Sequence, residues 1–88
     1  MSKNLLEEYR KEISEIDKEI IALLDERFDL CWEVGGYKKE NGMAILDEKV
    51  EEKKLASIDF LASEDNAEFI KETFKTIMSQ SRKLQEEM

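Results

Sequence analysis

Apolar residues return along the chain at steps of three and four. From the amino end they fall at Leu6, Tyr9, Ile13, Ile16, Ile20 and Leu23, and the series resumes at Leu30, Val34 and Tyr37. Such spacing lines one side of an α-helix and predicts a first helix over about residues 4–39. One beat of the rhythm is not apolar: between Leu23 and Leu30 the seam holds Arg27. Gly35-Gly36 weakens the stretch by roughly 1 kcal/mol each relative to alanine. Val34, Tyr37 and Lys38 continue the pattern across it, with a stop at Gly35 as the alternative. Asn41-Gly42 is the stronger stop, because both residues tolerate left-handed backbone. Residues 40–46 therefore read as a loop.

A second helix is predicted over about residues 47–60. Asp47 is a good N-cap, and Glu48 and Glu51 fall in a first turn where the helix dipole favours acids. Val50, Leu55 and Ile58 give this helix an apolar side. Ser63 to Asn66 carries no apolar residue and reads as the connector or the start of the next helix; Asp65 with Glu68 has the spacing of a capping box. A third helix is predicted over about residues 66–87, with Ile70, Phe74, Ile77, Leu84 and Met88 at seam positions. Ser81 interrupts that seam as Arg27 interrupts the first.

The lengths carry a statement about assembly. A helix of about 35 residues is roughly 52 Å long, whereas a compact globule of this size has a diameter of roughly 30 Å. Two short partner helices cannot cover the first one. A second copy of the chain is the simplest cover, so the expected architecture is an all-α, intertwined homodimer with three helices per chain.

Composition narrows the chemistry. The 88 residues carry a net charge of −8, with 41% charged and 41% hydrophobic side chains, no proline and no histidine. That length allows one domain, residues 1–88. Without histidine there is no imidazole acid, base or metal ligand, and the single Cys31 excludes an internal disulfide and a multi-cysteine zinc site. No metal and no cofactor are expected. No apolar run approaches the ~20 residues of a membrane span, and the start does not resemble a secretory signal. These features lead us to expect a cytoplasmic location and no membrane partner. The acidic balance argues against nucleic acid.

Polar residues on apolar faces are the candidates for function. Arginine is scarce, with only Arg10, Arg27 and Arg82 beside eleven lysines. Arg27 sits on the first seam, Arg10 adjoins it, and Lys38 follows Arg27 by eleven residues on nearly the same face. Taken singly, Arg27 reads as the partner of an internal acid such as Glu51, and Arg10 and Lys38 as solvated cations. Three cations along one seam of an acidic protein instead suggest a small dianionic guest. Glu51 shares a face with Asp47, Leu55 and Ile58; Ser81 and Gln85 flank Leu84. Each has a plain structural reading, a first-turn acid or a fraying polar end. Together the set holds fixed cations, one carboxylate and neutral hydrogen-bonding groups, with no nucleophile beside a base. It suits binding and shaping an organic anion better than covalent catalysis.

The segment Arg10–Arg27 resembles the signature of the AroQ-type chorismate mutases. Arg10, Ile13, Ile16, Asp17, Ile20, Leu23, Leu24 and Arg27 occupy its fixed positions. The resemblance continues through Glu33-Val34-Gly35, Lys38, Asp47 to Glu51, and Phe74 to Gln85. It implies three helices per chain in a domain-swapped homodimer, and the Claisen-type rearrangement of chorismate to prephenate in the shikimate route to Phe and Tyr. By the same resemblance, Arg27 grips one substrate carboxylate and Arg10, from the other chain, grips the second. Lys38 and Gln85 hydrogen-bond the ether oxygen, Glu51 accepts from the ring hydroxyl, Asp47 lies near that hydroxyl, and Ser81 contacts a carboxylate. Two positions depart from the family pattern. Val50 stands where an arginine usually precedes the site glutamate, which would leave the site one cation short. Ala44 replaces a common loop proline. Two other readings stay open on the sequence: an isochorismate pyruvate lyase on the same fold, and a non-enzymatic helical interaction module.

Overall fold

A computed structural model describes residues 4–88. Among them lie three helices: α1 (Leu5–Glu40), α2 (Glu48–Leu61) and α3 (Glu64–Glu86). The chain, read above as one domain, divides into two compact units, one ending at Leu30 and the other running from Cys31 to Met88. No helix among the described residues is long and apolar enough to cross a membrane.

From Leu5 to Leu30 the first unit is helix, because its apolar seam runs unbroken by glycine or proline. Asn4 starts it: its side-chain oxygen accepts from the amides of Leu6 at 3.0 Å and Glu7 at 3.4 Å, which satisfies donors that have no partner within the helix. The seam side chains from Leu6 to Leu23 are between 47% and 64% exposed. Large apolar residues at helical spacing are therefore left uncovered in a single chain.

In the second unit α1 continues through both glycines and stops where Asn41-Gly42 was expected to stop it. Gly42 takes a φ of +64°, its left-handed turn bringing the Met43 amide onto the Lys38 carbonyl at 2.8 Å. The Asn41 side chain donates to the Tyr37 carbonyl at 2.8 Å. The last carbonyls of α1 thus find partners as the chain leaves the helix.

Helix α2 opens on Asp47, whose side chain accepts from the Val50 amide at 3.2 Å. It closes at Ala62, whose amide donates to the Ile58 carbonyl at 2.9 Å. Val50 does not belong to its inward side. It is 59% exposed, while Ile58 is buried and Glu51 and Leu55 are half-buried. The face through Glu51, Leu55 and Ile58 is the one turned inward, while Asp47, expected on the same face, is exposed at the cap.

Helix α3 begins at Glu64, two residues earlier than the sequence suggested. Ser63 holds the capping position in extended backbone, without a side-chain cap bond. The Asp65–Glu68 spacing therefore lies inside the helix and does not start it. The α3 seam is also richer than expected, with Ala67 and Met78 buried alongside Ser81. At its outer edge Lys71 bridges Asp59 of α2 at 2.7 Å and Glu68 of its own helix at 3.3 Å. Its bond to Asp59, supported by Glu68, holds the ammonium above the usual lysine pKa despite partial burial.

Candidate functional site

The Cys31–Met88 unit holds five of the seven candidate residues, Lys38, Asp47, Glu51, Ser81 and Gln85, and they can be followed from one helix to the next. The series begins at Gly35, the buried residue of α1. A Cβ built there would lie 2.6 Å from Met88 Sδ and 2.9 Å from Gln85 Cγ. The C-terminal turn of α3 therefore crosses α1 at the place where α1 has no side chain. The crossing lets the Gln85 amide donate to the Cys31 carbonyl at 2.9 Å, one turn below Gly35. Beside it, Lys39 Nζ donates to the Met88 carbonyl at 3.1 Å.

One turn above Gly35 stands Lys38, half-buried. Its ammonium donates to the Ile45 carbonyl of the α1–α2 loop at 2.7 Å. An ammonium carries three donors and a carboxamide nitrogen two. Each of these two nitrogens spends one N–H on a main-chain carbonyl, and each retains further N–H capacity.

Two residues past Ile45, Asp47 begins α2. One of its carboxylate oxygens caps the Val50 amide and its carbonyl accepts from the Glu51 amide at 3.1 Å. Glu51 lies in the first turn that this cap holds. Its two carboxylate oxygens accept from a single nitrogen of Arg82 on α3. The side chains of the pair are only 25% and 29% exposed. The sequence had suggested Arg27 as a structural partner for this acid, and a shortage of cations beside it because of Val50. A cation does stand against Glu51, supplied by the neighbouring helix.

Next to Arg82 is Ser81, 7% exposed. Its hydroxyl donates to the Ile77 carbonyl at 2.9 Å, which directs the proton along α3. Gln85 follows Ser81 by four residues and Arg82 by three, so each is its neighbour along the helix, which returns the series to Gly35.

Arg10 and Arg27 belong to the other unit. Arg10 is exposed on α1 and Arg27 is half-buried.

Sequence reasoning missed Arg82. A signal was available: arginine is scarce in this chain, and Arg82 falls four residues after Met78 and three before Gln85. Among the described residues, every buried side-chain nitrogen and oxygen has a hydrogen-bond partner. Nor, among the described residues, is any group of three His, Cys, Asp or Glu side chains placed to hold a metal. The arrangement offers fixed positive charge and oriented N–H donors on a rigid frame. That equipment suits stabilising charge on an organic anion.

The crossing at Gly35 yields a prediction. Gly35→Ala gains about 1 kcal/mol of helix propensity and meets overpacking of about 1–3 kcal/mol. The Met88 thioether can swing aside, but Gln85 Cβ, 3.3 Å from the new methyl, is tied to its own backbone. Overpacking should win, and a thermal melt should show a net loss of about 1 kcal/mol.

The chain resembles characterised sequences over most of its length. The model of the family "chorismate mutase type II" matches residues 9–86. A bifunctional chorismate mutase/prephenate dehydratase of Buchnera aphidicola subsp. Acyrthosiphon pisum (strain APS) is 39% identical over 75 residues, covering 83% of this chain and 20% of the relative. The chain thus spans a small part of that protein. Among solved structures, a conserved hypothetical protein from Pyrococcus furiosus superimposes with a TM-score of 0.78 at 34% identity, over 96% of this chain and 99% of the other.

Proposed function

Because the chain belongs to the chorismate mutase type II family, we propose that it is an isomerase that converts chorismate to prephenate. The observation that carries this reading is the pair Lys38 and Gln85. Both nitrogens are anchored on main-chain carbonyls within one unit, and both retain N–H capacity.

The reaction breaks one C–O bond and forms one C–C bond in a single cyclic step. No proton is transferred and no covalent adduct with the protein forms. Negative charge grows on the ether oxygen as its bond to the ring lengthens. Donors already in place stabilise that charge without reorganising, and such preorganised electrostatics is often the largest contribution to a rate enhancement. Lys38 and Gln85 donate to this oxygen. Glutamine does not titrate, so its donor is present throughout the neutral range.

Substrate shape is set by the remaining residues. Arg27 grips one carboxylate, and Arg10 of a second copy grips the other, which folds the enolpyruvyl arm over the ring. Glu51 accepts from the ring hydroxyl, Asp47 lies near the same hydroxyl, and Ser81 contacts a carboxylate, its hydroxyl turning from the Ile77 carbonyl to donate to the substrate. The product feeds the cytoplasmic route to Phe and Tyr.

The test is to mix purified protein with chorismate and follow its absorbance. Loss well above the uncatalysed rate supports the reading, and loss at the uncatalysed rate by folded protein removes it.

The uncovered apolar seam of α1 supports a homodimer in which the first helices of two copies interlock. Sedimentation at micromolar concentration should give twice the chain mass. A folded monomer under those conditions would rule the arrangement out.

A further inference from the structure

We infer that Arg82 is a positioning residue that aims the Glu51 carboxylate at the substrate's ring hydroxyl. The inference rests on the chorismate mutase reading and adds to it a residue from α3 that the sequence did not single out.

Glu51 is half-buried in the first turn of α2, and the contacts that place it converge from two sides. The Asp47 cap fixes its backbone. Its side chain still has three rotatable bonds, and an untethered glutamate would spread over many rotamers. Arg82 removes that freedom, because one guanidinium nitrogen takes both carboxylate oxygens. The tether comes from a different helix, so the carboxylate is held in the frame of α3, which also carries Ser81 and Gln85.

The chemistry of the pair leaves room for a guest. A carboxylate offers about four lone-pair sites, and Arg82 engages each oxygen once. The carboxylate can accept a hydroxyl proton while it remains tethered. Both side chains are about a quarter exposed, and pairs of that kind contribute little to stability. The larger consequence is geometric: a misplacement of ~1 Å in a catalytic group can lower a rate on the order of 100-fold.

The test is a double-variant cycle in the full chain, with kcat, KM and melting temperature measured for each protein. Arg82→Met is expected to lower kcat/KM by about 10- to 100-fold with little change in melting temperature. Glu51→Gln should lower it to a similar extent, and the double variant should be no worse than Glu51→Gln alone, because Arg82 acts only through that carboxylate. Arg82→Lys, which keeps the charge, should recover part of the loss. If Arg82→Met does not fold, Arg82→Gln takes its place in the cycle. Wild-type kcat/KM in the Arg82 variant would overturn the inference and reduce the pair to a pin between helices. Full additivity of the two losses would overturn it as well. A wild-type protein that leaves chorismate untouched would fail at the earlier step and remove the functional reading on which this one stands.

Discussion

Lys38→Ala should lower kcat/KM on the order of 100- to 1,000-fold or more, the range seen when one preorganised donor to a developing charge is removed. The ammonium is anchored before substrate arrives, since Nζ already donates to the Ile45 carbonyl at 2.7 Å. In the proposed reaction its remaining N–H groups would meet an ether oxygen that carries little charge in bound chorismate and much more when the C–O bond is breaking. An interaction that strengthens only toward the transition state is lost from kcat rather than from KM. The variant also loses one loop hydrogen bond, which contributes about 0.5–1.5 kcal/mol to folding. Thermal melting separates that small effect from the kinetic one. Near-normal turnover in folded Lys38→Ala would show that the ether oxygen is served by another group.

Arg27→Ala is expected to have a comparable effect with a different kinetic signature. A carboxylate held by a guanidinium is bound in the ground state as well as in the transition state, so its loss raises KM first. The size should be about 2–5 kcal/mol, as for truncating one partner of a desolvated charge pair. kcat should fall too, because a substrate held at one carboxylate no longer presents its arm over the ring. Arg27→Lys keeps the charge without the planar fork and should recover only part of the affinity. Steady-state kinetics on the two variants checks both statements, and unchanged KM in Arg27→Ala would move the carboxylate grip to another residue.

The helices were legible in the sequence because steps of three and four, a capping aspartate and an Asn-Gly stop are local signals. Asp47 and Gly42 both act locally. The start of α3 was misjudged by two residues for the same reason: a serine and an aspartate compete for one cap, and local chemistry alone does not choose between them. Val50 was placed on the inward side of α2 by its hydrophobicity. Its position in the turn, one residue before Glu51, puts it on another face.

Arg82 was harder to find because its role depends on which helix lies opposite. Along α3 it reads as one more polar residue beside Lys83. Only the packing of α2 against α3 brings it to Glu51. The α1 seam shows a similar limit. Periodicity reveals that a face is apolar, and the exposure of Ile13 and Leu23 shows that the described residues of a single chain leave it uncovered.

The Lys38–Ile45 contact has a consequence for how this protein could vary. The acceptor is a main-chain oxygen, which all twenty amino acids supply alike at position 45. Substitutions across 43–46 can therefore drift widely while the ammonium keeps its anchor. Removing or inserting a single residue there would shift a different carbonyl into register. The loop's tally of peptide units, more than its alphabet, is what natural selection or a designer must conserve.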